Sequence, residues 1–182
     1  SNEIIEFCYH AFTRPGEGKV LASAYAFAVY GLMARLFGIP FEEVPDRDFH
    51  HDLAGFVARL SAEVRLVFLA SPNNPTGTRI PNAELAAFVE KFPAGPLLVL
   101  DEAYYEFIPE PPPSIRWVKE GRPVVVLRTF SKVQGLAGLR IGYGLARPDI
   151  AAVLQKSRQP FNTSAPAQTA ALAALADAEH VQ

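Results

Sequence analysis

The feature that most constrains the fold is a set of short apolar runs that lack polar alternation. Leu66-Val67-Phe68-Leu69 and Val124-Val125-Val126-Leu127 offer neither face to water, so each reads as a strand buried on both sides. The β-type runs are Lys19–Ala22, Phe41–Val44, Val64–Ala70, Leu97–Leu100, Val124–Arg128 and Arg140–Ala146. Helical patterns fall between them at about 26–38, 53–61, 82–92, 113–120 and 148–158. The stretch Ser1–Phe7 opens in helical pattern behind a polar start, and Ala165–Gln182 reads as an Ala-rich helix. This alternation predicts an α/β fold, a mostly parallel central sheet covered by helices on both faces. The 16 prolines sit mainly between elements, as in Pro109-Glu110-Pro111-Pro112-Pro113, and mark loops. With no internal repeat or low-complexity linker, 182 residues make one α/β domain.

Composition excludes several functions. The net charge of −2, with no basic block, gives no footprint for nucleic acid. The charge-free stretch Val20–Ala34 falls short of the roughly 18 residues of a membrane span. One cysteine, Cys8, allows neither an internal disulfide nor a zinc site, and a reducing, cytoplasmic setting is expected. His10, His50, His51 and His180 form no metal-ligand spacing with the acidic residues, so no metal is expected.

In open parallel sheets, ligands gather beyond the carboxyl ends of the strands. Three chemically loaded segments, Ser71–Gly77, Asp101–Tyr105 and Thr129–Lys132, each directly follow an apolar run and should converge there. Lys132 is positioned either as a surface lysine at a strand end or as an amine able to attack an aldehyde. Asp101 could cap a helix, bind a metal or face a buried cation. Asn74 lies in Ser71-Pro72-Asn73-Asn74-Pro75-Thr76-Gly77, where turn chemistry and a ligand-facing amide are both open readings. Arg140 offers a forked donor suited to phosphate, or a surface ion pair.

Taken together and in order, Asn-Pro-Thr-Gly, Asp-Glu-Ala-Tyr and Ser-Lys followed by Gly-Leu-Arg-Ile-Gly-Tyr resemble the fold-type I aminotransferases. The longer strings SPNNPTG, DEAYYEF and TFSKVQGLAGLRIGYGLA are most similar to the histidinol-phosphate aminotransferase family. Ser1-Asn2-Glu3 resembles the end of that family's Gly-Ser-Asn-Glu phosphate-binding turn. The resemblance spans essentially the whole chain.

The resemblance implies pyridoxal 5'-phosphate as cofactor. Lys132 would form the Schiff base with its aldehyde and then move a proton between the substrate α-carbon and the cofactor C4'. Asp101 would pair with the protonated pyridine nitrogen, so that the ring accepts carbanion charge. Asn74 and the Tyr104 phenol would hydrogen-bond the ring oxygen O3'. Tyr25 would stack on the ring, unless it is simply a core aromatic. Backbone amides at Ser1 and Asn2, with Thr129, Ser131 and Arg140, would hold the phosphate.

Residues 1–182 would then be most of a cofactor-binding large domain, with an N-terminal segment and a C-terminal small domain lying outside it. The substrate-carboxylate arginine belongs to that small domain, and a homodimer partner would supply a tyrosine. The implied reaction is transamination of histidinol phosphate, with 2-oxoglutarate as the oxo-acid acceptor, in histidine biosynthesis. Two other activities share the scaffold: decarboxylation of an amino-acid phosphate, and cofactor sensing by a non-catalytic domain of a transcription regulator. Val133 and Gln134 depart from the family pattern of a small residue and then an aromatic after the lysine.

Overall fold

The computed structural model describes residues 1–177 and 179–181. It contains a six-stranded sheet with strands β1 (Lys19–Ser23), β2 (Phe41–Val44), β3 (Val64–Ala70), β4 (Leu97–Asp101), β5 (Val124–Thr129) and β6 (Gly142–Ala146). Their order across the sheet is β2-β1-β3-β4-β5-β6. The first five are mutually parallel, and β6 pairs antiparallel with β5. The α/β class, the mostly parallel sheet and all six strands follow the sequence prediction.

The helices are α1 (Asn2–Phe12), α2 (Val29–Phe37), α3 (Leu53–Arg59), α4 (Asn82–Lys91), α5 (Ser114–Lys119), α6 (Pro148–Ser157) and α7 (Ala165–Ala176). Helix α7 stops at Ala176, short of the predicted run to Gln182; Ala178 and Gln182 lie outside the described residues. Strand β6 begins at Gly142 and not at Arg140, because Arg140 adopts φ 55°, which no strand accommodates.

Two cores flank the sheet, and the pleat assigns residues to them by parity. Leu66, Phe68, Leu97, Val99, Val125 and Leu127 face α1, α2 and α6. Val67, Leu69, Leu98, Leu100, Val124 and Val126 pack with Phe56, Leu85, Phe88 and Trp117 on the opposite side. The same parity fixes the polar ends of these strands. Asp101 continues the row of Leu97 and Val99, whereas Glu102 and Arg128 continue the rows of the other face. Among the described residues, no helix is long and apolar enough to cross a membrane.

Candidate active site

The carboxyl ends of β3, β4 and β5 meet at a cavity of about 890 Å³. From beyond β3 it receives Asn74, from β4 Asp101 and Tyr104, and from beyond β5 Thr129, Ser131 and Lys132. Ser1 and Asn2 close it from the start of α1, and Arg140 from the turn before β6. Nine of the ten residues singled out in the sequence therefore line one space.

Tyr25 does not. It is 53% exposed, lies outside the cavity wall and packs its ring against Phe49 at 5.2 Å. The aromatic ring that the β1–α2 connection delivers to the cavity is Phe27. Both stand in the apolar stretch after β1, where composition alone offers no reason to prefer one over the other. The structure separates them because Asn73 Nδ2 donates to the Tyr25 carbonyl at 2.8 Å, and the Tyr25 N–H donates to Asp46 Oδ2 at 2.9 Å. Those bonds pin the Tyr25 backbone in a turn that leaves its side chain outside.

Asp46 is the hub of that turn. Its side chain is buried, takes a hydrogen bond from the Ser23 hydroxyl and lies 3.6 Å from Nδ1 of the equally buried His51. His51 Nε2 in turn donates to the Ala70 carbonyl at 2.9 Å, at the end of β3. Burial holds the His51 pKa below the usual histidine range, against the opposing pull of Ala70 and Asp46, so the ring is neutral near pH 7. One buried cluster thus ties together the ends of β1 and β3.

The turn after β3 is fixed by its own backbone. Asn73 donates its N–H to the Thr78 carbonyl and accepts from Gly77, whose φ of 71° suits glycine. Ser71 N–H donates to the Asp101 carbonyl at 3.1 Å, which couples this turn to β4. Asn74 is left half-buried on the cavity wall.

Asp101 is buried at the cavity floor. Its Oδ2 accepts from the Tyr30 hydroxyl at 2.8 Å and its Oδ1 from the Ala103 N–H at 3.1 Å. Burial raises its pKa; those two hydrogen bonds and the positive charge of Lys132 oppose the rise. A buried carboxylate in this setting gains from any cation placed in the cavity. Lys132 is exposed to the cavity, with Nζ 5.0 Å from the Tyr104 ring centroid. Gly135, at φ 67°, closes the turn after it by donating to the Lys132 carbonyl. Gln134, one of the departures from the family pattern, reaches Glu106 at 3.3 Å and joins this turn to the segment after β4.

The other end of the cavity suits an anion. Ser1 makes no side-chain cap, and of the first-turn amides of α1 the Ile4 N–H donates to the Ser1 carbonyl while those of Asn2 and Glu3 have no intrahelical acceptor. A Cβ on Gly142 would stand 2.5 Å from the Ser1 nitrogen, so only glycine lets the helix start approach β6 this closely. Thr129 Oγ1 accepts the Ser131 N–H at 3.1 Å, which leaves its hydroxyl proton free to donate. Arg140 contributes a guanidinium, held by its bond to the Ala137 carbonyl at 2.7 Å. An amine, a buried carboxylate, an aromatic wall and an anion cradle around one cavity fit a planar cationic ring bearing an aldehyde and a phosphate.

Phe27, Tyr30, Arg158 and Asn162 also line the cavity and were not among the sequence candidates. Arg158 donates to Asn162 at 2.9 Å, and Asn162 donates to Glu3 of α1 at 2.8 Å. The Asn162–Glu3 contact spans most of the chain and leaves no local signal. Among the described residues, no group of three or more His, Cys, Asp or Glu side chains is arranged to hold a metal ion.

The chain is similar to known proteins along its whole length. The family model for aminotransferase class I and II matches residues 1–182. A histidinol-phosphate aminotransferase of Akkermansia muciniphila is 49% identical over all of this chain and 50% of its own length. A histidinol-phosphate aminotransferase 2 of Ralstonia nicotianae is 48% identical over all of this chain and 49% of its length. The chain thus spans about half the length of the curated relatives it matches. The crystal structure of histidinol-phosphate aminotransferase from Sinorhizobium meliloti in complex with pyridoxal-5'-phosphate superposes with a TM-score of 0.91. It is 35% identical, over 98% of this chain and 49% of that one.

Proposed function

The chain belongs to the class I and II aminotransferase family, and from that premise we propose that the protein carrying it is a pyridoxal-phosphate-dependent transaminase acting on histidinol phosphate. The observation that carries this reading is the meeting of Lys132, Asp101 and the anion cradle around one cavity. The names of the relatives support histidinol phosphate as amino donor. We assign 2-oxoglutarate as acceptor, histidine biosynthesis as the pathway, a homodimer as the assembly and the cytoplasm as the location. When bound, the cofactor supplies an aldehyde for the amino group and a ring that withdraws electrons from the substrate α-carbon.

Each residue has a role that follows from its place. Lys132 presents an amine at the cavity and would be the residue that holds the cofactor's aldehyde and takes up the proton from the substrate α-carbon. Asp101, already hydrogen-bonded on both oxygens, would hold the cofactor's ring nitrogen as a fixed anion and favour its protonated form. Asn74 and Tyr104, on the cavity wall at the adjoining strand ends, would hydrogen-bond the ring oxygen. Phe27, in place of Tyr25, would cover the ring face and exclude water. The α1 amides, Thr129, Ser131 and Arg140 bind the phosphate, which fixes the ring relative to Lys132.

The test is to supply the purified protein with pyridoxal phosphate, histidinol phosphate and 2-oxoglutarate, and to follow glutamate. Glutamate that appears only with all three components is the expected result. Release of carbon dioxide from an amino-acid phosphate without glutamate would replace transamination with decarboxylation.

A further inference from the structure

Tyr30 is fully buried, yet its hydroxyl ends at the cavity floor, where it donates to Asp101 Oδ2 at 2.8 Å. Its ring packs against two aromatic rings and its backbone is held by a third residue. It stacks on Phe68 at 4.6 Å and 13°, and it meets Phe27 edge to face at 5.8 Å and 88°. Tyr9 stacks on Phe68 at 5.6 Å, and its hydroxyl donates to the Tyr30 carbonyl at 2.7 Å. A tyrosine clamped at both ring and backbone cannot withdraw its hydroxyl without breaking this packing.

We propose that Tyr30 is a positioning residue for the reaction: its hydroxyl orients the Asp101 carboxylate and keeps it ionised, while its ring edge sets Phe27 against the cavity. The inference rests on the reading of Asp101 as partner of the cofactor's ring nitrogen. The second oxygen of Asp101 is held by the Ala103 N–H, so each oxygen has one protein donor and the carboxylate has a single orientation. Three groups face it: Tyr30 from α2, the Ala103 amide from its own loop, and Lys132 from beyond β5. Burial and the neighbouring Asp101 push the Tyr30 phenol well above its usual range, so the hydroxyl remains a donor wherever Asp101 titrates. Removing that donor removes a stabiliser of the anion alone, because a protonated Asp101 gains far less from it.

The experiment uses Tyr30→Phe, which keeps the ring, with Tyr9→Phe as a variant in the same stack whose hydroxyl does not reach Asp101. Carboxyl NMR of the cofactor-free protein, labelled at aspartate, follows the Asp101 resonance, assigned by its loss in Asp101→Asn. The Asp101 titration should move to higher pH in Tyr30→Phe and move much less in Tyr9→Phe, which loosens the backbone clamp but keeps the Tyr30 hydroxyl. The dissociation constant for pyridoxal phosphate should rise about tenfold in Tyr30→Phe, as expected for losing one hydrogen bond to a charged group. If Tyr30→Phe does not fold, 3-fluorotyrosine at position 30 keeps the shape, strengthens the donor and should move the titration to lower pH.

An unmoved Asp101 titration overturns the proposal. So does a moved titration with unchanged cofactor affinity in Tyr30→Phe, provided Asp101→Asn binds poorly. If Asp101→Asn binds pyridoxal phosphate as tightly as the wild type, the reading of the site itself fails and the role of Tyr30 fails with it.

Discussion

Arg128 and Glu102 form a buried ion pair, Nη2 to Oε2 at 2.9 Å, that joins the ends of β5 and β4 on the face of the sheet opposite Asp101. Ser114 of α5 donates to the same Glu102 oxygen at 3.0 Å, and the Arg128 guanidinium lies 3.4 Å from the Tyr105 ring centroid. The pair sits behind the two strand ends that present Asp101 and Lys132, so it sets their relative height. Arg128→Met should destabilise the protein by about 3 kcal/mol, because it leaves a buried carboxylate without its cation. Burial lifts the Glu102 pKa to about 7 despite Arg128 and Ser114. A folded value above the unfolded one means that Glu102 supports the fold fully below about pH 4.5 and loses that support as pH rises towards 7. Chemical denaturation across this range should show Arg128→Met losing stability more steeply with pH than the wild type.

Lys132 should be the point of covalent attachment. Borohydride treatment of the protein with pyridoxal phosphate, followed by peptide mapping, should mark Lys132 and leave Lys91 and Lys156 unmodified. Lys132→Ala should still bind the cofactor through the anion cradle, but without covalent attachment. A label on either other lysine would remove Lys132 from the chemistry.

Asp101→Ala should reduce turnover by about 10²–10³, the usual loss for one preorganised electrostatic partner. Tyr104→Phe should cost much less, since the phenol only adjusts the acidity of a ring substituent. Steady-state rates of the two variants decide the matter, and equal small losses would argue against a pyridinium role for Asp101.

Exchanging the two aromatic candidates separates the sequence reading from the structural one. Phe27→Leu should weaken cofactor binding roughly five-fold, from the loss of one aromatic contact. Tyr25→Leu should change it little. Fluorescence titration with pyridoxal phosphate gives both constants, and a larger effect at Tyr25 would return the stacking role to that residue.

His51 predicts acid sensitivity. Its folded pKa lies below the unfolded value because the ring is buried, so its contribution is complete above about pH 6.5 and is lost as pH falls. His51→Gln retains a donor for the Ala70 carbonyl and removes the titration. Melting temperatures between pH 5 and 7 should fall less steeply for the variant; an identical slope would mean that His51 is not the group responsible.

The sequence by itself determined the layered fold, because unalternating apolar runs have no stable place outside a sheet covered on both faces. It also determined which strand ends line the cavity, since Asn74, Asp101 and Lys132 each follow such a run directly. Those assignments depend on local order along the chain, and the parallel sheet converts that order into proximity. Tertiary structure alone decided which aromatic enters the cavity, because the Asn73 and Asp46 bonds that turn Tyr25 outwards come from residues far along the chain. It also decided that Tyr30 meets Asp101 and that Arg158 reaches α1 through Asn162 and Glu3. Burial, parity across the sheet and long-range hydrogen bonds set these contacts, and no spacing between neighbouring residues encodes them.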